Sequence, residues 1–152
     1  MGNIAVYTDG GCSGNPGPGA WAFVIKTGRE LIRRSGGEPA TTNNRMELSA
    51  VINALEFLQS HASLKGTEVH LYTDSQYVKK GITEWIERWK AVGWKNASKK
   101  PVKNQDLWKH LLALRDRSSV HWNWVPGHSG DELNELCDRL VNEKMREMIR
   151  GG

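Results

Sequence analysis

Two short runs of the sequence repeat one pattern: VYTDG at Asp9 and LYTDS at Asp74. Each places an aspartate directly after an apolar, β-branched and aromatic segment that reads as a strand. In an α/β sheet ligands bind beyond the carboxyl ends of strands, so both carboxylates point toward one site. If the two strands are parallel neighbours, Asp9 and Asp74 stand side by side. Like charges that close favour either a raised pKa or a bound cation. Glu47 lies in the first turn of one expected helix and Asp138 near the start of another. Four carboxylates without a matching His or Cys set favour a hard cation, Mg2+ or Mn2+, over zinc. Taken singly, each acid reads better as a cap or a surface charge, and Asp before Gly or Ser is ordinary turn chemistry. The duplicated strand end is what lifts the pair above that reading.

His128 stands in WVPGHSGDELNELCD, just past an expected strand and between two glycines. That setting suits a mobile proton carrier better than a core residue. His61, His70, His110 and His121 have no such setting and read as structural. The loop GGCSGNPGPG lacks the Gly-Lys-Ser/Thr ending of a nucleotide-phosphate loop, and no helix follows it, so both a triphosphatase and a dinucleotide fingerprint are disfavoured. Its small residues would let backbone amides approach a sugar-phosphate chain closely.

From Lys79 to Lys103 eight Lys or Arg face only Glu84 and Glu87. This window of 25 residues carries +6, so with an overall charge of +4 the remainder carries −2. Trp85, Trp89 and Trp94 fall in the same window. A basic segment interleaved with aromatics on a slightly acidic body is the footprint of a polyanion-binding surface. A solvated amphipathic helix with its Trp side chains in the core accounts for the composition equally well.

The elements that would position these residues follow from pattern and punctuation. Strands are expected at Ile4–Asp9, about Ala20–Lys26, Glu30–Ser35, Glu68–Thr73 and Val120–Val125, with a hairpin turn at Thr27-Gly28. Asn44 as N-cap with Glu47 three residues on resembles a capping box, and Leu48, Val51, Ile52, Leu55 and Leu58 make the apolar stripe of that helix. The basic window reads as helical pieces broken at Gly81 and Gly93. Two further helices are expected, about Asp106–Arg115 and Glu132–Ile149, the latter with Leu133, Leu136, Leu140 and Val141 inward. This order implies an α/β fold, a five-stranded mixed sheet (βββαβαβα) flanked by helices.

The 152 residues and 17.1 kDa suit a single domain, residues 1–152. An apolar content of 38% with 25% charged residues is that of a globular chain, and no run is apolar enough to span a bilayer. No basic stretch followed by an apolar one opens the sequence, so a secretory signal is not expected, and Val6 stands where a myristoylation motif needs Ser or Thr. With two cysteines, Cys12 and Cys137, a cytoplasmic chain is the default.

Taken together, YTDGGCSGNPGPGAWAFV, TTNNRMEL, YTDSQYV, WIERWKAVGWK with KKPVKNQDLW, and WVPGHSGDELNELCD resemble bacterial ribonuclease H of type I, in order and through nearly the whole chain. The resemblance implies the ribonuclease H-like fold, with residues 79–103 as a basic, tryptophan-rich protrusion. It also implies endonucleolytic hydrolysis of the RNA strand of RNA–DNA hybrids, leaving 5′-phosphate and 3′-hydroxyl ends. By motif, the metal-binding acids fall on Asp9, Glu47, Asp74 and Asp138, and the mobile histidine on His128. Two Mg2+ roughly 4 Å apart would activate water and stabilise the leaving oxygen, with Mn2+ as a substitute.

The same motifs place Cys12, Gly14, Asn15, Asn43, Asn44 and Gln76 at the hybrid's minor groove, where RNA 2′-hydroxyls are displayed. Thr42 and Asn104 match a pocket for a DNA phosphate, and Tyr77, Trp85 and Trp89 an aromatic wall beside the DNA sugars. Lys95, Lys99 and Lys100 complete the substrate-binding set. Some relatives carry an Arg two residues before that Thr; here it is Ala40, so the phosphate grip is weaker or another basic residue supplies it. The expected partner is the hybrid alone, with no membrane, no obligate protein partner and a monomeric chain. A DNA integrase or resolvase of the same fold, or a non-catalytic hybrid-binding module, is the alternative. The first lacks this basic segment and histidine loop; the second would lack one of the four acids.

Overall fold

The structure, a computed structural model, describes residues 3–61, 64, 67–126 and 131–151. In chain order these form β1 (Ile4–Cys12), β2 (Gly17–Lys26), β3 (Leu31–Thr41), α1 (Asn43–Ser60), β4 (Glu68–Thr73) and α2 (Gln76–Lys80). A π-helical turn (Gly81–Trp85), α3 (Ile86–Ala91), α4 (Gln105–Asp116), β5 (Ser119–Trp124) and α5 (Glu132–Gly151) follow. The five strands form one sheet in the order β3-β2-β1-β4-β5. The first three pair antiparallel, while β1–β4 and β4–β5 are parallel. The expected mixed α/β sheet is therefore present. Among the described residues no helix is long and apolar enough to cross a membrane.

Alternation sorts the sheet's two faces. Ile4 and Val6 of β1 and Phe23 and Ile25 of β2 join Leu48, Val51, Ile52, Leu55 and Leu58 of α1 in the main core. All five stripe residues are buried, and α4 extends this core with Trp108, Leu111, Leu112 and Leu114. On the other face Ala20 and Ala22 pack against Val141. There α5 buries Asn134, Cys137 and Val141, while Leu133, Leu136 and Leu140 are half-buried at its flanks. The α5 stripe is thus centred one position away from the expected leucines.

Three boundaries differ from expectation. β1 continues through Gly10–Cys12, and β3 through Thr41, because pairing with β2 carries both strands past glycines that read as turns. Thr42, not Asn44, caps α1: its backbone is extended and its Oγ1 accepts from the Arg45 N–H at 3.3 Å. Glu47 consequently lies in the second turn of the helix. Gly81 breaks nothing, since its helical backbone (φ −60°, ψ −50°) passes directly into the π-helical turn. A Cβ at Gly81 would overlap the Trp108 ring, so glycine there serves packing. Gly93 does end a helical piece, with φ at +73°.

Candidate active site

Pairing between β1 and β4 is recorded as far as Tyr7 opposite Tyr72. Just beyond it stand Asp9, still within β1, and Asp74, the residue after β4. The parallel register makes the two aspartates neighbours, as the repeated strand end implies. Thr73 Oγ1 accepts from the Ser75 N–H (3.1 Å) and Ser75 Oγ accepts from the Val78 N–H (3.1 Å), so side chains on either side of Asp74 carry the turn into α2.

Glu47 reaches the same place because α1 lies directly on β1. A Cβ at Gly10 would overlap the backbone of Met46 and Glu47, so only glycine admits this approach. One carboxylate oxygen from each of Asp9, Glu47 and Asp74 lies within 4.8 Å of the others. Asp138, early in α5, stands near enough for its charge to raise the Asp9 pKa, and Asn142 one turn on donates to the Asp138 backbone carbonyl at 3.0 Å. Two helices and two strands thus deliver the four acids singled out in the sequence to one spot.

The electrostatics of that spot are strained. Asp9 and Glu47 are each only 8% exposed. Burial, then the charges of Asp74 and Asp138, pushes Asp9 up to about 8. Burial, then Asp9 and Asp74, holds Glu47 well above the usual carboxylate range. The Gly10 N–H is the group whose hydrogen bonding opposes both shifts. Glu47 Oε1 is shielded from solvent and has no hydrogen-bond partner, a costly state for a carboxylate oxygen. Clustered carboxylates with an orphaned oxygen fit a divalent cation, and an all-oxygen donor set fits a hard one.

A second group lies where α1, α2 and α4 begin. Arg45 pairs bidentately with Asp106 (3.1 and 3.0 Å) and donates to Asn104 Oδ1 (3.2 Å). Asn104 Nδ2 donates to the Tyr77 hydroxyl (3.1 Å), which also accepts from the Trp108 indole N–H (2.9 Å). Thr42, Tyr77 and Asn104 are therefore tied together through Arg45 and the buried Trp108, two residues that the sequence reading did not single out. The signal for Trp108 was its place on the apolar stripe of α4; Arg45, lying between matched motif residues, carried none.

The remaining residues of the substrate set flank the acids. Cys12 ends β1, its thiol directed at the Gly17 and Thr41 carbonyls (both 3.3 Å), and Gly14 (φ +94°) and Asn15 are exposed on the following connection. Asn43 and Asn44 are exposed on the first turn of α1, and Gln76 on that of α2. Trp85, Trp89, Lys95 and Lys99 line a cleft of about 690 Å3, and the nearby Lys100 is exposed. Trp89 and Trp94 also pack on the core, whereas Trp85 is half-buried against Tyr77 and Trp89 (ring centroids 5.7 and 5.6 Å). The core reading therefore holds for Trp89 and Trp94 and not for Trp85. His128 lies outside the described residues.

The model of the RNase H family matches residues 1–146. The chain belongs to the ribonuclease H family. It is 56% identical over 144 residues to a ribonuclease HI of Caulobacter vibrioides, covering 95% of this chain and 93% of that one. A ribonuclease H of Marinobacter nauticus is 53% identical over 147 residues, 97% of both chains. Among solved structures, LC9-RNase H1, a type 1 RNase H with the type 2 active-site motif, superposes with a TM-score of 0.83 at 34% identity, covering 96% of this chain and 73% of that one. LC11-RNase H1 in complex with RNA/DNA hybrid gives 0.74 at 26% identity, with 96% and 99% covered. The expected ribonuclease H-like fold and family are thus borne out.

Proposed function

We propose that this ribonuclease H is an endonuclease hydrolysing the RNA strand of RNA–DNA hybrids, with residues 1–152 acting as a single, monomeric catalytic domain. The observation that carries the reading is the convergence of Asp9, Glu47 and Asp74 within 4.8 Å, joined by Asp138 through Asp9. The hybrid-bound relative LC11-RNase H1 supports the substrate class. Asp9, Glu47, Asp74 and Asp138 would hold the divalent metal, with Mg2+ favoured by a donor set of oxygens alone. When bound, two such ions supply an activated water and stabilise the leaving 3′-oxygen, giving 5′-phosphate and 3′-hydroxyl ends.

The chain's own side chains do the rest. Asp9, whose carboxyl feels the charges of both Asp74 and Asp138, sets the position of the charge. Glu47, beside it on α1, meets the 2′-hydroxyl next to the scissile phosphate, which distinguishes RNA from DNA. Cys12, Gly14, Asn15, Asn43, Asn44 and Gln76 line the minor groove around it. Thr42 and Asn104 grip a DNA phosphate, and Arg45, whose backbone N–H bonds Thr42 and whose guanidinium bonds Asn104 and Asp106, holds the two in place. Tyr77, Trp85 and Trp89 form the wall beside the DNA sugars, with Lys95, Lys99 and Lys100 beyond it. His128 moves protons and assists product departure.

Incubation of end-labelled RNA–DNA hybrid, double-stranded RNA and double-stranded DNA with Mg2+ or with chelator tests this reading. Cutting confined to the RNA of the hybrid and abolished by chelator is the expected result. Robust cutting of either pure duplex, or activity that survives chelation, overturns it.

A further inference from the structure

The far end of the parallel strand pair carries a second cluster of metal-ligand side chains. Glu68 and His70 alternate with the core residues Val69 and Leu71 on β4, so they stand on the opposite face of the sheet. On that face α5 packs against β1, β2 and β3. The register sets His121 of β5 directly opposite His70. Their rings stack with centroids 4.8 Å apart and planes inclined by 15°. His121 Nε2 lies 3.3 Å from Glu68 Oε1, and one ligand atom from each of the three residues falls within 4.8 Å of the others. Read one at a time these histidines signify nothing; the strand register turns them into a pair.

An independent observation concerns His70 itself. Its Nε2 is shielded from solvent and has no hydrogen-bond partner. A shielded imidazole nitrogen is normally satisfied by a partner, and leaving it bare is costly. A ligated cation would satisfy it. Two imidazoles and one carboxylate are a donor set of zinc with an open position, and imidazole also suits Cu2+ and Ni2+. Mg2+ keeps to oxygen donors. The side chains of His121 and Glu68 are 51% and 56% exposed, which leaves room for water in the remaining coordination position.

We propose that Glu68, His70 and His121 form a second metal site, selective for a divalent transition-metal ion of the zinc class, which clamps the edge strand β5 to β4. His70 precedes Asp74 by four residues, ~13 Å along an extended strand, so this site is distinct from the carboxylate cluster. The two clusters divide metals by donor chemistry: hard ions at the acids, borderline ions at the histidines. A clamp on β5 steadies the strand that leads into the segment holding His128.

The test is calorimetric titration of untagged, metal-stripped full-length protein with Zn2+, in excess Mg2+ to occupy the acids. The parent should take up one equivalent and melt at a higher temperature with Zn2+ present. His70→Ala and His121→Ala should each weaken Zn2+ by at least about tenfold, whereas Asp9→Asn should leave it unchanged. Equal Zn2+ affinity in parent and both histidine variants overturns the site, as does no uptake by the parent or loss of uptake in Asp9→Asn. Should either histidine variant fail to fold, electron paramagnetic resonance of the Cu2+-loaded parent decides. Superhyperfine coupling to two imidazole nitrogens supports the site, and oxygen-only coordination overturns it.

Discussion

Replacing Asp9 by Asn should make the metal-free protein more stable, the opposite of what removing a buried, hydrogen-bonded side chain normally does. Asp9 is pushed from 3.8 up to about 8 by burial and by the charges of Asp74 and Asp138. A raised carboxyl pKa means that the folded chain retains a proton which the unfolded chain releases. The associated stability is complete below pH ~4 and drains away as the pH rises toward about 8. At about 1.4 kcal/mol per pH unit, the loss between 3.8 and 7 amounts to ~4 kcal/mol. Asn keeps the shape, removes the titration and can donate to a neighbouring carboxylate, so most of that loss should be recovered. For a chain of this size ~1 kcal/mol moves the melting temperature by about 2–4 °C. Thermal melts in chelator from pH 4 to pH 8 should show the variant level with the parent at the acid end and several degrees above it at pH 8. A variant that melts below the parent at pH 8, or a gap that does not grow with pH, would refute the crowding of charge on Asp9.

Three other outcomes follow from the same account. His128→Ala should slow hybrid cleavage by ~10²–10⁴-fold while the metal requirement persists; a loss as complete as that of Asp9→Asn would make His128 something other than a proton carrier. Replacing Lys95, Lys99 and Lys100 together with Ala should raise KM with little change in kcat. It should also flatten the slope of log affinity against log salt by ~0.9 per lost phosphate contact, and an unchanged slope would remove these lysines from the substrate surface. Gly81→Ala should lower stability by ~1–3 kcal/mol, because the added methyl overlaps the buried Trp108 ring; an unchanged melt would mean that glycine serves no packing role there.

What could be read in the sequence was whatever a local pattern carries. The α1 stripe has five matches to a helical period and every one is buried. The paired Thr-Asp endings became a site because β1 and β4 run parallel and in register, which is the arrangement the repeat implies. Local punctuation misled wherever tertiary contacts outweighed it. Gly10 and Gly11 read as a turn, yet pairing with β2 runs through both, and Gly10 exists to let α1 press on the strand. Gly81 read as a helix break, yet the ring of Trp108, distant in sequence, requires it. The capping box suggested by Asn44 and Glu47 competes with Thr42, whose extended backbone makes it the cap, and so Glu47 remains for the acid cluster. Arg45 and the His70–His121 pair could not be found by scanning, since each acquires its meaning from a partner on another element.

On the proposed function, Asp9 and its three acidic neighbours perform the cleavage while other residues bind the substrate. Single-turnover cleavage of a labelled RNA–DNA hybrid by the parent and by Asp9→Asn, beside the affinity of each for the same hybrid, tests it most directly. Near-equal affinity is expected, with RNA-strand cleavage by the parent and none above background by Asp9→Asn in Mg2+. Cleavage by Asp9→Asn at a rate near the parent's would contradict it.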